Sequence, residues 1–161
     1  MRTYYIFKIN KYFTFCYKKW PYRLYKILEE VYYSNNYDNK LSYKYYKQVA
    51  INFNKFSLNE YIYTRNVNKD GYHRDNNLHI YKTNSFSKLS IYGTCLILKT
   101  NDMNSIFLND IYYSEDNIFI CDFINNDYFW LDSLIIDRQK EELLVYLSVF
   151  PSPVSSTKKL A

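Results

Sequence analysis

Apolar and polar positions change their period several times along the chain, and each change marks an element boundary. Tyr4 to Ile9 is β-branched and aromatic with a two-residue alternation, which predicts a strand that opens the fold. Asn10 follows with a side-chain acceptor suited to cap a short helix reaching about Lys19. Pro21 fits the first position of a second helix, where its missing N–H costs nothing. That helix runs to about Tyr33 and carries Leu24, Ile27, Leu28 and Val31 at the spacing of a core stripe, before Ser34-Asn35-Asn36 ends it. A third helix is predicted over Leu41 to Phe53, with Tyr46, Val49, Ala50 and Phe53 inward and Lys44, Lys47 and Gln48 outward or at the boundary.

Residues 55–85 show no dominant period. Tyr61 to Tyr63 suits a short strand or a helical turn, and Asn66 to Asn77 reads as a polar loop. The pattern sharpens again at Lys88 to Tyr92 and Cys95 to Lys99, two apolar strands separated by Gly93-Thr94, the length of a two-residue hairpin turn. Asp102 is placed to cap a fourth helix through about Tyr113, with Ile106, Phe107 and Ile111 on one face. A second hairpin follows, Asn117 to Phe123 and Asp127 to Leu131, joined by Ile124-Asn125-Asn126.

These elements predict an α/β protein of the α+β type: a mostly antiparallel sheet of about five strands covered by three to four helices, in a single domain over residues 1–136. Beyond Asp137 tyrosine and asparagine almost vanish, and the run from Phe150 to Thr157 has a turn and linker composition. Residues 137–161 are therefore expected to be a partly disordered extension, in which Glu141 to Val149 can form a last helix.

Composition changes this picture in two ways. Tyrosine is abundant, with 21 copies against 2 glycines, so many rings must sit at half-buried positions where the hydroxyl reaches water or a partner. Charge is also unevenly laid out, because residues 1–48 hold ten Lys and Arg against three acids, whereas residues 101–132 hold seven acids and no base. Such polarity is either internal, with one half packing beside the other, or steers a charged partner to one face. No stretch approaches the 18 to 20 apolar residues of a membrane span and the start lacks a secretory cleavage site, so a cytoplasmic, membrane-free chain is expected.

Most catalytic and cofactor chemistry finds no footing. Two glycines, Gly71 and Gly93, cannot write a P-loop or a dinucleotide fingerprint. Cys16, Cys95 and Cys121 lie far apart in apolar runs, which predicts reduced, buried thiols. His73 and His79 fall in the predicted polar loop with no cysteine at ligand spacing, so neither a metal nor any other cofactor is expected. Carboxylates such as Asp122 and Asp127 belong to turn chemistry, and the chain is expected not to be an enzyme.

Binding is the remaining class. Lys18, Lys19, Arg23, Lys26, Lys44 and Lys47 stand among Tyr12, Tyr17, Trp20 and Tyr45, which suits a small nucleic-acid module that pairs phosphates with cations and stacks bases on rings. Protein binding accounts for the same helices. Phe13, Tyr17 and Trp20 fall along one stripe of the first helix, and if Tyr12, Phe15 and Cys16 face the sheet, that stripe is not fully buried by the fold itself. Exposed aromatics of this kind are what interface hot spots use; the alternative is that Phe13 and Tyr17 are core.

Tyr4-Tyr5-Ile6-Phe7, then Phe13 and Tyr17, then Leu24-Tyr25-Lys26-Ile27-Leu28 with Tyr32, resemble the SirA family, sporulation inhibitors of replication. Phe119-Ile120-Cys121-Asp122-Phe123 and Tyr128-Phe129-Trp130-Leu131 extend the resemblance over about residues 1–132. It implies a single-domain α/β protein, monomeric when free, that binds the N-terminal domain of the initiator DnaA through packed helices and so blocks origin firing. The family's aromatic pair on the first helix is similar to Phe13 and Tyr17, and its glutamine on the later helix is similar to Gln48. Trp20 and Tyr45 are added from geometry, since both should flank that surface.

Overall fold

The computed structural model of the chain describes residues 1–34 and 41–150. In chain order the elements are β1 (Arg2–Ile9), α1 (Lys11–Lys19), α2 (Pro21–Tyr32), α3 (Leu41–Val49), β2 (Ala50–Ile51), α4 (Lys55–Asn66), β3 (Tyr72–Asp75), β4 (Leu78–Lys82), β5 (Phe86–Ile91), β6 (Leu96–Thr100), α5 (Ile106–Ser114), β7 (Ile118–Asp122), β8 (Asp127–Trp130) and α6 (Leu131–Val149). The α+β class holds, with one antiparallel sheet of eight strands instead of about five, and six helices instead of three to four among the described residues.

The sheet runs β3-β4-β5-β6-β1-β7-β8, with β2 pairing the end of β1. Lys8 pairs Ile118 of β7 on one edge and Ile51 of β2 on the other, so β2 continues the edge that β6 occupies up to Ile6. β1 is thus central, and its side chains alternate between two cores. Tyr4 and Ile6 join Leu58 and Ile62 of α4, Phe107 and Ile111 of α5, and Leu131 and Ile135 of α6. Phe7 and Ile9 point to the other face, with Leu24, Tyr25 and Leu28 of α2 and Val49 of α3. Helices on both faces explain why β7 is buried at every position and lacks an apolar–polar alternation.

Several boundaries differ from expectation, each for a local reason. The third helix stops at Val49 because Ala50 and Ile51 are drawn into the sheet beside Lys8 and Ile9, and Phe53 enters the core from outside any helix. Tyr61 to Tyr63 is helical within α4, whose cap is Asn54, its side chain accepting from the Ser57 amide at 3.1 Å. The predicted polar loop contains β3, and it places neither histidine in a loop, since His73 lies in β3 and His79 is buried in β4. The β5–β6 connection is longer than two residues, closing with the Tyr92 amide donating to the Cys95 carbonyl at 3.1 Å between paired Ile91 and Leu96. Asp102 caps the turn before α5, accepting from the Asn104 amide at 2.8 Å, while Ser105 occupies the N-cap position.

Of the expected extension, residues 137–149 continue α6 without a break, and the helix crosses the predicted boundary at Asp137. Leu131 and Ile135 anchor it; from Gln139 onward every described side chain is exposed. Asn35, Asn36 and the linker-like run from Pro151 lie outside the described residues. The charge asymmetry is in good part internal: Arg2 pairs with Asp122 at 3.2 Å and with Asp127 at 3.1 Å, Lys8 with Glu115, and Lys18 with Asp132.

Candidate functional site

Two short helices meeting at Trp20 create a largely apolar concavity. Asn10 starts α1 by accepting from the Tyr12 amide at 3.1 Å, and α1 ends where the Trp20 amide donates to the Cys16 carbonyl at 3.1 Å. Pro21 then begins α2 immediately, so the chain turns a corner at Trp20 with no loop to cover the indole. Lys18 fixes α1 to the body by pairing with Asp132 and lying over the Trp130 ring.

The resulting groove between α1, α2 and α3 holds about 490 Å³ and is lined by Phe13, Tyr17 and Trp20, with Arg23, Lys26 and Ile27 on α2 and Tyr45 on α3. Four of the five predicted site residues, Phe13, Tyr17, Trp20 and Tyr45, are thereby brought together. Gln48 is exposed on α3 one turn beyond Tyr45, outside the groove lining. Trp20 and Tyr45 leave 52% and 45% of their surface open, whereas Phe13 and Tyr17 are half-buried against the α2 side of the core. Burial raises the Tyr17 phenol above its ordinary pKa and pushes that of Tyr46, behind the groove, up to about 12.

The expected orientation of α1 is overturned. Tyr12 and Phe15 are 78% and 83% exposed and face solvent, Cys16 is exposed in the groove lining, and the side bearing Phe13, Thr14 and Tyr17 faces the fold. Phe13 and Tyr17 therefore form a groove floor, not a free ridge. The reason is tertiary: α2 packs across the Phe13–Tyr17 side, and a nine-residue helix has only one side to give. Cys16 likewise departs from the expected burial, while Cys121 is buried and Cys95 half-buried, each thiol raised by desolvation. Ile27, assigned by periodicity to the core stripe of α2, is half-buried in the groove wall, and its signal was indistinguishable from that of Leu24 and Leu28.

Cations stand at the Trp20 end of the groove, Arg23 in its lining and Lys19 beside the indole, while Lys47 stacks on Tyr43 outside the lining. Lys19 and Arg23 sit 5.8 and 5.4 Å from the Trp20 ring centre, and Lys47 lies 4.9 Å from that of Tyr43. Among the described residues, Lys19, Arg23, Lys44 and Lys47 form no ion pair with a carboxylate; Lys26 is engaged by Glu29. An apolar floor with an open cationic end complements an apolar surface flanked by acids.

Among the described residues no group of three or more His, Cys, Asp or Glu is placed to hold a metal. His79 is locked in a structural network, and no described helix is long and apolar enough to cross a membrane. No protein-family model matches this chain, and no curated protein matches it at a significant level.

Proposed function

We propose that this chain is a small inhibitory binding protein that captures the N-terminal domain of the replication initiator DnaA in the α1–α2–α3 groove and thereby blocks origin firing. The observation that carries this is the convergence of Phe13, Tyr17, Trp20 and Tyr45 on one largely apolar groove. The partner comes from the SirA resemblance; the surface comes from the groove. Half-exposed rings over an apolar floor suit an apolar helix face, with Gln48 at the edge for a polar contact. With the exposed Tyr12 and Phe15 alongside, an ordinary interface of about 800 Å² per partner fits here. Inhibition on this account is steric and needs no covalent step and no cofactor: a bound monomer covers a surface that the initiator uses to assemble.

Trp20→Ala with Tyr45→Ala tests this more cleanly than substituting the half-buried Phe13 and Tyr17. Each is expected to cost about 2 kcal/mol of binding, together roughly a thousandfold in Kd, with an unchanged circular dichroism spectrum. Wild-type protein that ignores the DnaA domain, or a double variant that binds it at full strength, refutes the proposal. Single-stranded nucleic acid is the competing partner, favoured by the two cations against the Trp20 ring. Binding of an oligonucleotide that collapses between low and moderate salt, with no DnaA binding, would select it.

A further inference from the structure

The apolar groove has a charged end. Phe13, Cys16, Tyr17 and Trp20 line it at the i, i+3, i+4, i+7 spacing of one helix face, so it runs lengthwise along α1. At about 1.5 Å per residue, the stretch from Phe13 to Trp20 is roughly 10 Å long. Where it ends, Lys19 and Arg23 both stand against the indole, 5.8 and 5.4 Å from its ring centre. The lining includes no acid, and its other cation, Lys26, is engaged by Glu29. At the opposite end of α1, Lys11 lies over the ring of Tyr12, which faces solvent.

Nothing close by neutralises the Trp20 corner. Lys18, the other cation in the last turn of α1, is committed to Asp132. Lys19 and Arg23 pair with no carboxylate among the described residues. The C-terminus of α1 and the N-terminus of α2 meet here, so their opposite partial charges offset and the two side chains remain as net charge. The first turn of α2 has no acid, the residue type favoured there, and carries Arg23 instead. The face of an indole attracts cations and thereby holds them at the groove mouth, but it cannot cancel their charge.

Taking the groove as the seat of a DnaA helix, as proposed above, we infer that the bound helix has a fixed direction, set by an Asp or Glu of the partner placed against Lys19 and Arg23 at the Trp20 corner. Its apolar side chains lie over Phe13 and Tyr17. A helix lying along α1 shares its rise per residue, so the partner should show an apolar pair three or four residues apart and the acid three or four residues beyond it. A carboxylate suits the guanidinium of Arg23, which can hold it through two parallel N–H donors. A nucleic-acid strand would need cations spaced along the groove to follow its phosphates, whereas Lys18 and Lys26 are spent on Asp132 and Glu29.

Binding kinetics of the full chain with the DnaA N-terminal domain test this at about 50 mM and 500 mM salt, either side of the range where surface charges become screened. At low salt Arg23→Glu and Lys19→Glu should each slow association fivefold or more, with the differences vanishing at high salt. Arg23→Glu should do so without lowering the urea midpoint, because an acid in the first turn of a helix is favourable. Lys140→Glu, exposed on α6, should change nothing. Changing the acids of the DnaA domain to Lys one at a time should reveal one that weakens binding to the wild type and restores the Arg23→Glu variant at least tenfold. Should Lys19→Glu fail to fold, Arg23→Glu alone decides. A wild type that binds the domain while Arg23→Glu binds it equally fast, or an Arg23→Glu variant that no partner substitution restores, overturns the directed pairing and leaves the groove reading standing. A wild type that does not bind the domain overturns both, and loss of oligodeoxythymidine binding on Arg23→Glu would then assign the corner to phosphate.

Discussion

Lowering the pH from 7.5 to 5.5 should destabilise this fold through one side chain, His79. Its ring is fully buried, with Nδ1 2.7 Å from the Tyr72 hydroxyl and Nε2 2.9 Å from Asn59 Oδ1. Asn59 spends its amide N–H on the Lys55 carbonyl at 2.8 Å, so its oxygen faces the ring and Nε2 must donate. Nδ1 then accepts from Tyr72, and the neutral imidazole is satisfied at both nitrogens. Burial, aided by the nearby Arg74 charge and opposed by Glu60 and Asp110, lowers the pKa from 6.5 to about 4. The folded state therefore resists a proton that the unfolded chain accepts, so the stabilisation is complete above the unfolded pKa of 6.5 and drains away as pH falls toward 4. Across the whole window this amounts to about 3 kcal/mol, of which about 1.3 kcal/mol is lost between pH 7.5 and 5.5. Urea midpoints at those two pH values measure it, and the ring resonances of His79 in an NMR titration should move with a midpoint near pH 4. A flat midpoint together with a ring that titrates near 6.5 would refute the reasoning.

Two further substitutions probe the frame. Gly71 has φ +82°, and a Cβ there would lie 2.2 Å from the Lys82 carbonyl oxygen, so Gly71→Ala should cost about 2 kcal/mol or more in urea denaturation; a loss under about 0.5 kcal/mol would show that the β3–β4 end relaxes freely. Leu144→Ser with Leu147→Ser, at positions 67% and 46% exposed beyond the last anchor of α6, should change stability by no more than about 0.5 kcal/mol each, and a larger loss or a shifted gel-filtration volume would show that this helix end is covered in solution.

Local signals were legible wherever one residue settles a boundary. Asn10 and Pro21 fix the ends of α1 and α2 because a cap and a missing N–H act within one turn, whatever the rest of the chain does. β1 and the β7–β8 hairpin were legible through side chains that strands favour, bounded by Asn and Asp turn residues. α4 was hidden because Asn59 and Asn66, both buried, interrupt its apolar stripe, and their partners, His79 and Asp110, lie on distant elements. β3 was hidden because Tyr-His-Arg-Asp at a sheet edge has no apolar alternation to detect.

The sequence by itself determined the α+β class, the order of its clearest elements, and the crowding of aromatics and cations in the first 48 residues, since all of these follow from interactions within a few residues of one another. Only the tertiary structure decided which side of α1 is covered. Tyr12, Phe13, Phe15 and Tyr17 place rings on every side of that helix, so periodicity favours none, and the packing of α2 makes Phe13 and Tyr17 a floor and leaves Tyr12 and Phe15 in solvent. The same holds for the α5–α6 seam: its two stripes are ordinary in sequence, and their polar middles open into a cavity only because folding sets them opposite each other and beside Arg65 and Lys69.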